Sequence, residues 1–488
     1  MLKFLIHPST LFIIAQTLVM LVLGLRVVMR RPPTGVALAW LSFIAAVPGV
    51  GAIAYLLVGE KRIGKGRARR IAHLKESFAA LSSGLIEKGL TDIDWDRHPS
   101  EARGMDQMGR LMIGLPSVSG SRGRLLGNTE EILKGIAADV KDASRSVLME
   151  FYIWNQGGLA DEVLEAVIGA SQRGVTCRLL IDGLGASAWW KGEQPQRLRD
   201  AGVHLRAALP AGLVRLLFGR NDVRLHRKIV IIDDRIAWTG SMNLVDPRYF
   251  KQDAQVGEWV DAMVRAEGTV VAPLALTMLG DWTLETGESI HELARDVGIH
   301  HVRRTGGSDV QIVPSGPGQT EDGLLQMLLS TVNSARDELV LTTPYFVPDD
   351  SLLRAIRGAA ARGVKVAMIV PEKVDSLLTR YASRSFYDEL MDCGVNIYLY
   401  RKGLLHTKSI TADRRISMFG TVNLDMRSIW INYEVAAFIY GNEFGDELHA
   451  LQQSYIDDSD LLDPAQWAKR SNLQRFLENA FRLTSPVL

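Results

Sequence analysis

The chain has 488 residues, with 56 lysines and arginines against 55 aspartates and glutamates and a formal charge of +1. That length exceeds one ordinary core, so two or more domains are expected; the near-neutral balance excludes a protein whose whole surface grips nucleic acid by counterion release. Two cysteines, Cys177 and Cys393 at the edges of apolar strand patterns, exclude a disulfide framework and fit small buried residues.

The N-terminus departs from the rest. Residues 11–28 are apolar except for Gln16, Thr17 and Arg26, and residues 35–58 carry no charge. About 20 apolar residues cross a bilayer, so two membrane spans are expected, over about 9–29 and 35–58. A second uncharged segment so close behind the first argues against a cleaved signal peptide. Arg30-Arg31-Pro32-Pro33 makes a tight polar turn, which predicts a helical hairpin with both ends on one side. Six cations follow it (Lys61, Arg62, Lys65, Arg67, Arg69, Arg70) against three near the turn, which puts the rest of the chain in the cytoplasm, next to anionic headgroups.

Residues 61–119 mix charge, glycine and serine with short amphipathic pieces and read as a connecting segment. From there a pattern starts that later returns. A helix over 130–143, a strand over 146–154, a helix ending at Arg173-Gly174 and a strand over 175–181 are matched by a helix over 322–335, a strand over 338–346, a helix ending at Arg362-Gly363 and a strand over 364–370. Strands alternating with helices indicate α/β architecture with mixed sheets flanked by helices. The repeat predicts two halves, 120–304 and 305–488, related by a pseudo-twofold that sets equivalent loops side by side.

Each half carries the same polar phrase. His226, Lys228, Asp233, Gly240, Ser241 and Asn243 recur as His406, Lys408, Asp413, Gly420, Thr421 and Asn423, without insertion. On a strand, His and Lys two apart project from one face. Asp233 and Asp413 have the opposite parity and lie beyond the apolar run, so they belong to the signature as supports rather than as bases. Ser241, Asn243, Thr421 and Asn423, after their glycines, are expected to bind a substrate phosphate. Two imidazoles, two ammoniums and two carboxamides converging on one place suit a phosphodiester. Lysine and asparagine stabilise charge on its oxygens, one histidine attacks phosphorus, and the other protonates the departing alcohol. This chemistry calls for no metal or other cofactor, and His300-His301 fits a solvated pair better than a ligand set. Asp261 and Glu434, each heading an apolar strand, are the expected partners that orient the histidine rings, with Glu258 competing for the first position. Gly183-Leu184-Gly185 lacks a third glycine at nucleotide-binding spacing and reads as a turn; Gly49-Val50-Gly51 reads as packing inside a span.

The doubled phrase resembles the phospholipase D superfamily over residues 120–488. Within it the chain looks most like the two-span bacterial cardiolipin synthases, on Arg31-Pro32-Pro33-Thr34-Gly35, Ser315-Gly316-Pro317, Pro344-Tyr345-Phe346-Val347-Pro348, Gly403-Leu404-Leu405 and Asn423-Leu424-Asp425-Met426-Arg427-Ser428. The resemblance implies two phospholipase D-like halves and condensation of two phosphatidylglycerols to cardiolipin and glycerol through a phosphatidyl-histidine. It implies His226 as nucleophile and His406 as general acid. Membrane lipids, not nucleic acid, are the implied partners. The same residues would serve a phospholipase D releasing phosphatidic acid or a transferase using phosphatidylethanolamine; a nuclease or a silent scaffold fits less well. The apolar stretch 209–218 before the first phrase is a candidate lipid-facing lip, and the stripe Trp467, Leu473, Phe476, Leu477, Phe481 is expected to be domain packing.

Overall fold

The structure, a computed structural model, describes residues 8–32, 34–59, 65–210, 222–299, 302–319 and 322–483. The histidine pair at 300–301 and the candidate lip from 211 onward lie outside these. The chain divides into two compact units, one containing the apolar N-terminus and the other running from Gly66 to the C-terminus apart from residues 211–222.

In the N-terminal unit, α1 (Pro8–Arg30) is long and apolar enough to cross a membrane. The second expected span is not one helix. It is broken into α2 (Thr34–Ala46) and α3 (Pro48–Val58), about 20 and 16 Å long. Pro48 disfavours the helical conformation for the residue before it, and Val47 sits at φ −135°, ψ 72°. The pieces fold back on each other, with the Trp40 and Tyr55 rings 5.4 Å apart edge to face. Gly51 permits this, since a Cβ there would lie 2.7 Å from the Phe43 carbonyl oxygen.

The larger unit is built on one continuous 15-stranded sheet. Its first half contributes β1 (Val118–Leu126), β2 (Ser146–Phe151), β3 (Thr176–Asp182), β4 (His204–Ala208), β5 (Ile229–Ile232), β6 (Ile236–Gly240) and β7 (Met263–Gly268). The second contributes β8 (Ser308–Ser315), β9 (Glu338–Thr342), β10 (Lys365–Pro371), β11 (Asn396–Tyr400), β12 (Ser409–Ala412), β13 (Ile416–Gly420), β14 (Glu434–Tyr440) and β15 (Ser459–Leu461). The order is β15-β11-β10-β9-β12-β13-β14-β8-β1-β7-β6-β5-β2-β3-β4, so each half repeats the other outward from the antiparallel seam of β8 on β1. The helices expected at 130–143 and 322–335 form at Thr129–Lys141 and Gly323–Ser334, and the Asn128 side chain caps the first of them through the Glu131 N–H. The expected strand to 346 stops at Thr342, shortly before Pro344.

The expected connector is part of this unit. Helix α4 (Lys65–Glu87) buries Leu74, Phe78 and Leu85 in the central core, and α5 (Ser100–Met112) buries Ala102 and Met105 in the core of the second half. At about 1.5–3 kcal/mol per buried large side chain, such contacts bind the segment firmly to the fold. The C-terminal stripe splits. Trp467 is buried and Phe481 stacks on Tyr381, whereas Leu473 and Phe476 are exposed, so only part of it is domain packing.

Candidate active site

Each signature histidine leaves a strand end and meets the other half. The His226 N–H donates to the Tyr433 carbonyl and the His406 N–H to the Val260 carbonyl, at 2.9 and 2.8 Å. Leu404–Leu405 pair in parallel with Trp259–Val260, and Leu225 bridges Tyr433. These contacts put each ring beside the acid that follows its backbone partner. His226 Nδ1 lies 2.8 Å from Glu434 Oε2, and His406 Nδ1 lies 2.7 Å from Asp261 Oδ1. The sequence picks out both acids; the structure shows that the pairs cross between halves. Glu258, the competing choice, is exposed.

Ser241 and Thr421 are fully buried, and neither reaches the cavity. Ser241 Oγ donates to Asp261 and Thr421 Oγ1 to Glu434, each at 2.6 Å, so their expected phosphate contact is replaced by bracing of the orienting acids. The preceding glycines set that depth. A Cβ on Gly240 or Gly420 would lie 2.4 Å from the Ala262 or Val435 carbonyl oxygen and push away the strand that carries the acid.

Asp233 and Asp413 lie at the far ends of β5 and β12, with φ of 54° and 51°. Asp233 accepts the N–H groups of Ser144, Arg145 and Ser146, and Asp413 those of Arg336, Asp337 and Glu338. They start the neighbouring strands β2 and β9, and neither lines the cavity, so their place in the catalytic set is corrected to strand anchors.

His226, His406, Asn243 and Asn423 line one cavity of about 640 Å³, together with Tyr152, Arg224, Lys251, Trp259, Tyr345, Asp375, Asp425, Arg427 and others. Asn243 Oδ1 accepts the Ile153 N–H, which leaves its amide donors for the cavity. Lys228 and Lys408 are fully buried beneath the histidines, each giving one donor to the histidine carbonyl two residues back. The Tyr152 ring meets His226 edge on at 5.2 Å, and Trp259 lies 4.3 Å from His406.

Burial dominates the protonation of this site. It lowers both histidines to about 4, with the neighbouring lysines adding to the effect and the carboxylates opposing it. It lowers Lys228 to about 8 and Lys408 to about 7. Burial alone would raise Asp261, but His406, Lys408 and Ser241 outweigh it and hold this acid at about 2. Glu434 is lowered in the same way, by His226, Lys228 and Thr421.

Several supporting residues carry no repeat signal. Arg227, buried between the signature His and Lys, donates to the carbonyls of Glu434 and Ser315 and pairs with Asp281. Its counterpart Thr407 bonds the Tyr455 hydroxyl, so the two halves differ here. Tyr433 is gripped from α4, with Arg67 Nε donating to its hydroxyl at 3.2 Å while Arg67 also pairs with Glu285. Residues 183–185 do form a turn, in which Asp182 Oδ1 accepts the Leu184 and Gly185 N–H groups.

Comparison with known proteins agrees with this architecture. Residues 136–260 and 328–455 match the family described as "Cardiolipin synthase, PLD-like domain", and residues 18–60 match "Phospholipase_D-nuclease N-terminal". The chain is 43% identical over 480 residues to cardiolipin synthase A of Edwardsiella ictaluri (strain 93-146), covering 98% of each chain. It is 42% identical over the same length to cardiolipin synthase A of Escherichia coli (strain K12 / DH10B), again covering 98% of each. Among solved structures, phosphatidylserine synthase of Haemophilus influenzae Rd KW20 shares the fold with a TM-score of 0.60, at 15% identity over 79% of this chain and 100% of that one. A doubled His-Lys-Asp half, crossed histidine–carboxylate pairs and full-length similarity together make this chain a member of the cardiolipin synthase family within the phospholipase D superfamily.

Proposed function

We propose that the chain condenses two phosphatidylglycerol molecules to cardiolipin and glycerol, with His226 and His406 as the reacting pair. The observation that carries this reading is the crossed pairing. Each carboxylate holds Nδ1, leaving Nε2 for the one cavity that both rings line. His226 Nε2 attacks phosphorus, a P–N bond forms, the P–O bond to glycerol breaks, and His406 gives its proton to the departing oxygen. A hydroxyl of the second phosphatidylglycerol then returns a proton to His406 and attacks phosphorus, and the P–N bond breaks. Lys228, Lys408, Asn243 and Asn423 supply positive charge and donors for the non-bridging oxygens.

Purified protein in mixed micelles of phosphatidylglycerol is expected to yield cardiolipin and free glycerol in equal amounts. Phosphatidic acid as the sole product would sink this reading in favour of hydrolysis.

The free-site protonation fixes a pH window. The nucleophilic histidine must be neutral, so kcat/KM falls as pH drops through about 4; the lysines must be charged, so it falls again as pH rises through about 7 to 8. His406, lowered to about 4, must regain a proton before it can act as acid, so this window applies to a lipid whose leaving group departs without one. A pH–rate profile of p-nitrophenol release from a soluble short-chain phosphatidyl-p-nitrophenol checks this, and a rate still rising above pH 9 would contradict the assignment.

We also place the catalytic halves on the cytoplasmic face of the bacterial cell membrane. Since α2 and α3 are each shorter than the roughly 30 Å hydrocarbon core, the expected two-pass hairpin gives way to one crossing by α1 and a pair that dips in and returns. Arg30, Arg31, Lys65, Arg67, Arg69 and Arg70 then share one side. A cysteine placed before α1 should react with an impermeant thiol reagent in whole cells; labelling only after lysis would restore the two-pass arrangement.

A further inference from the structure

The two ends of the cavity differ although the fold repeats. Arg224 and Arg427 line it, whereas Asp375 lies on its wall with Lys251, Tyr345 and Trp259. Trp259 is in ring contact with His406, and Lys251 lies over Trp259 at 5.4 Å, which places Asp375 at the His406 end. Two carboxylates line the cavity among the described residues. Asp425 is committed to the Ser428 N–H at the start of the short helix Met426–Trp430. Asp375 is held differently. Its Oδ1 accepts the Tyr345 hydroxyl at 2.7 Å and its Oδ2 the Lys251 ammonium at 2.9 Å, while its side chain keeps 9% of its surface open. A carboxylate offers about four acceptor positions, and two remain.

We infer that Asp375 is a headgroup subsite that reads a neutral polyol, accepting the hydroxyl next to the one that reacts at His406. This rests on the phosphatidylglycerol reading and extends it to how that headgroup is recognised. The departing glycerol and the attacking phosphatidylglycerol both present vicinal hydroxyls, so one subsite serves both steps. Water lacks the second hydroxyl, and the subsite therefore favours transfer over hydrolysis. An ethanolamine headgroup brings an ammonium. Lys251 already neutralises Asp375 and repels a second cation, so the pair selects hydroxyls over ammonium.

Asp375→Asn in the full-length protein tests this. Losing a hydrogen bond to a charged acceptor should raise the KM for phosphatidylglycerol about 10- to 100-fold. It should also shift products from cardiolipin toward phosphatidic acid by about 10-fold or more. Release of p-nitrophenol from phosphatidyl-p-nitrophenol, which has no hydroxyl to read, should stay unchanged. Lys251→Met should raise the use of phosphatidylethanolamine relative to phosphatidylglycerol. If Asp375→Asn lowers both substrates equally, or leaves the product ratio untouched, the subsite is wrong while the synthase reading stands. If the wild type releases p-nitrophenol but makes no cardiolipin from phosphatidylglycerol, the functional reading fails and takes the subsite with it.

Discussion

His226→Ala and His406→Ala are each expected to lower phosphatidylglycerol turnover by about 10⁴-fold or more, because in the proposed mechanism both rings act on one phosphorus and removing either member of such a unit costs nearly as much as removing both. The two losses should differ in kind. A lipid with a good leaving group, phosphatidyl-p-nitrophenol, needs no acid to depart. With it, His406→Ala should still form a labelled phosphatidyl adduct that turns over slowly, whereas His226→Ala should form none. Acid-quenched trapping followed by peptide mapping reads this directly. An adduct that survives in His226→Ala and vanishes in His406→Ala would reverse the roles. Substantial turnover in both variants would remove the histidines from the chemistry.

The second large effect follows from the crossed carboxylates. Glu434→Gln and Asp261→Asn preserve shape but replace a buried charge, at 0% and 2% exposure, with an amide that favours the wrong ring tautomer. Losses on the order of 10³- to 10⁴-fold are expected, the range set by the equivalent change in a Ser-His-Asp triad. Because the pairs cross, the phenotypes should cross too. Glu434→Gln, in the second half, should behave like His226→Ala and lose adduct formation with the activated lipid. Asp261→Asn, in the first half, should behave like His406→Ala and retain it. The reverse pattern would mean that each acid serves its own half in solution. Thermal melting of both variants separates loss of orientation from loss of fold.

The architecture and most of the groups that meet at the cavity were legible in the sequence for a physical reason. The repeat is doubled, and polar residues held at equal spacing on buried strands stand out against an apolar background. The phrase identified His226, Lys228, Asn243 and their counterparts, and the cost of burying an acid identified Asp261 and Glu434. Spacing alone could not show direction. Ser241 and Thr421 follow their glycines as Asn243 and Asn423 do, yet they turn back to the acids, since that depends on how closely the next strand packs. Crossing of the pairs was equally hidden, because a pseudo-twofold leaves within-half and between-half contacts alike in the sequence. Asp375, Lys251 and Tyr345 have no repeat partner to mark them. The break at Val47 could be read from Pro48, but composition merged the two pieces into one apolar run. α4 looked like a connector because its mixed charge masks the face carrying Leu74 and Phe78.

Because the halves share one unbroken sheet and each His is held by the other half's acid, the cavity cannot open by swinging one half away from the other. Such a motion would release both rings at once and tear the β1–β8 seam. Substrate must therefore exchange without parting the halves, past lining residues such as Leu184, Lys251 and Thr379, while the histidine pair stays fixed. A chain severed between the halves would not work at half strength. It would be inert until its two pieces found each other again, which makes catalysis itself a report on their reassembly.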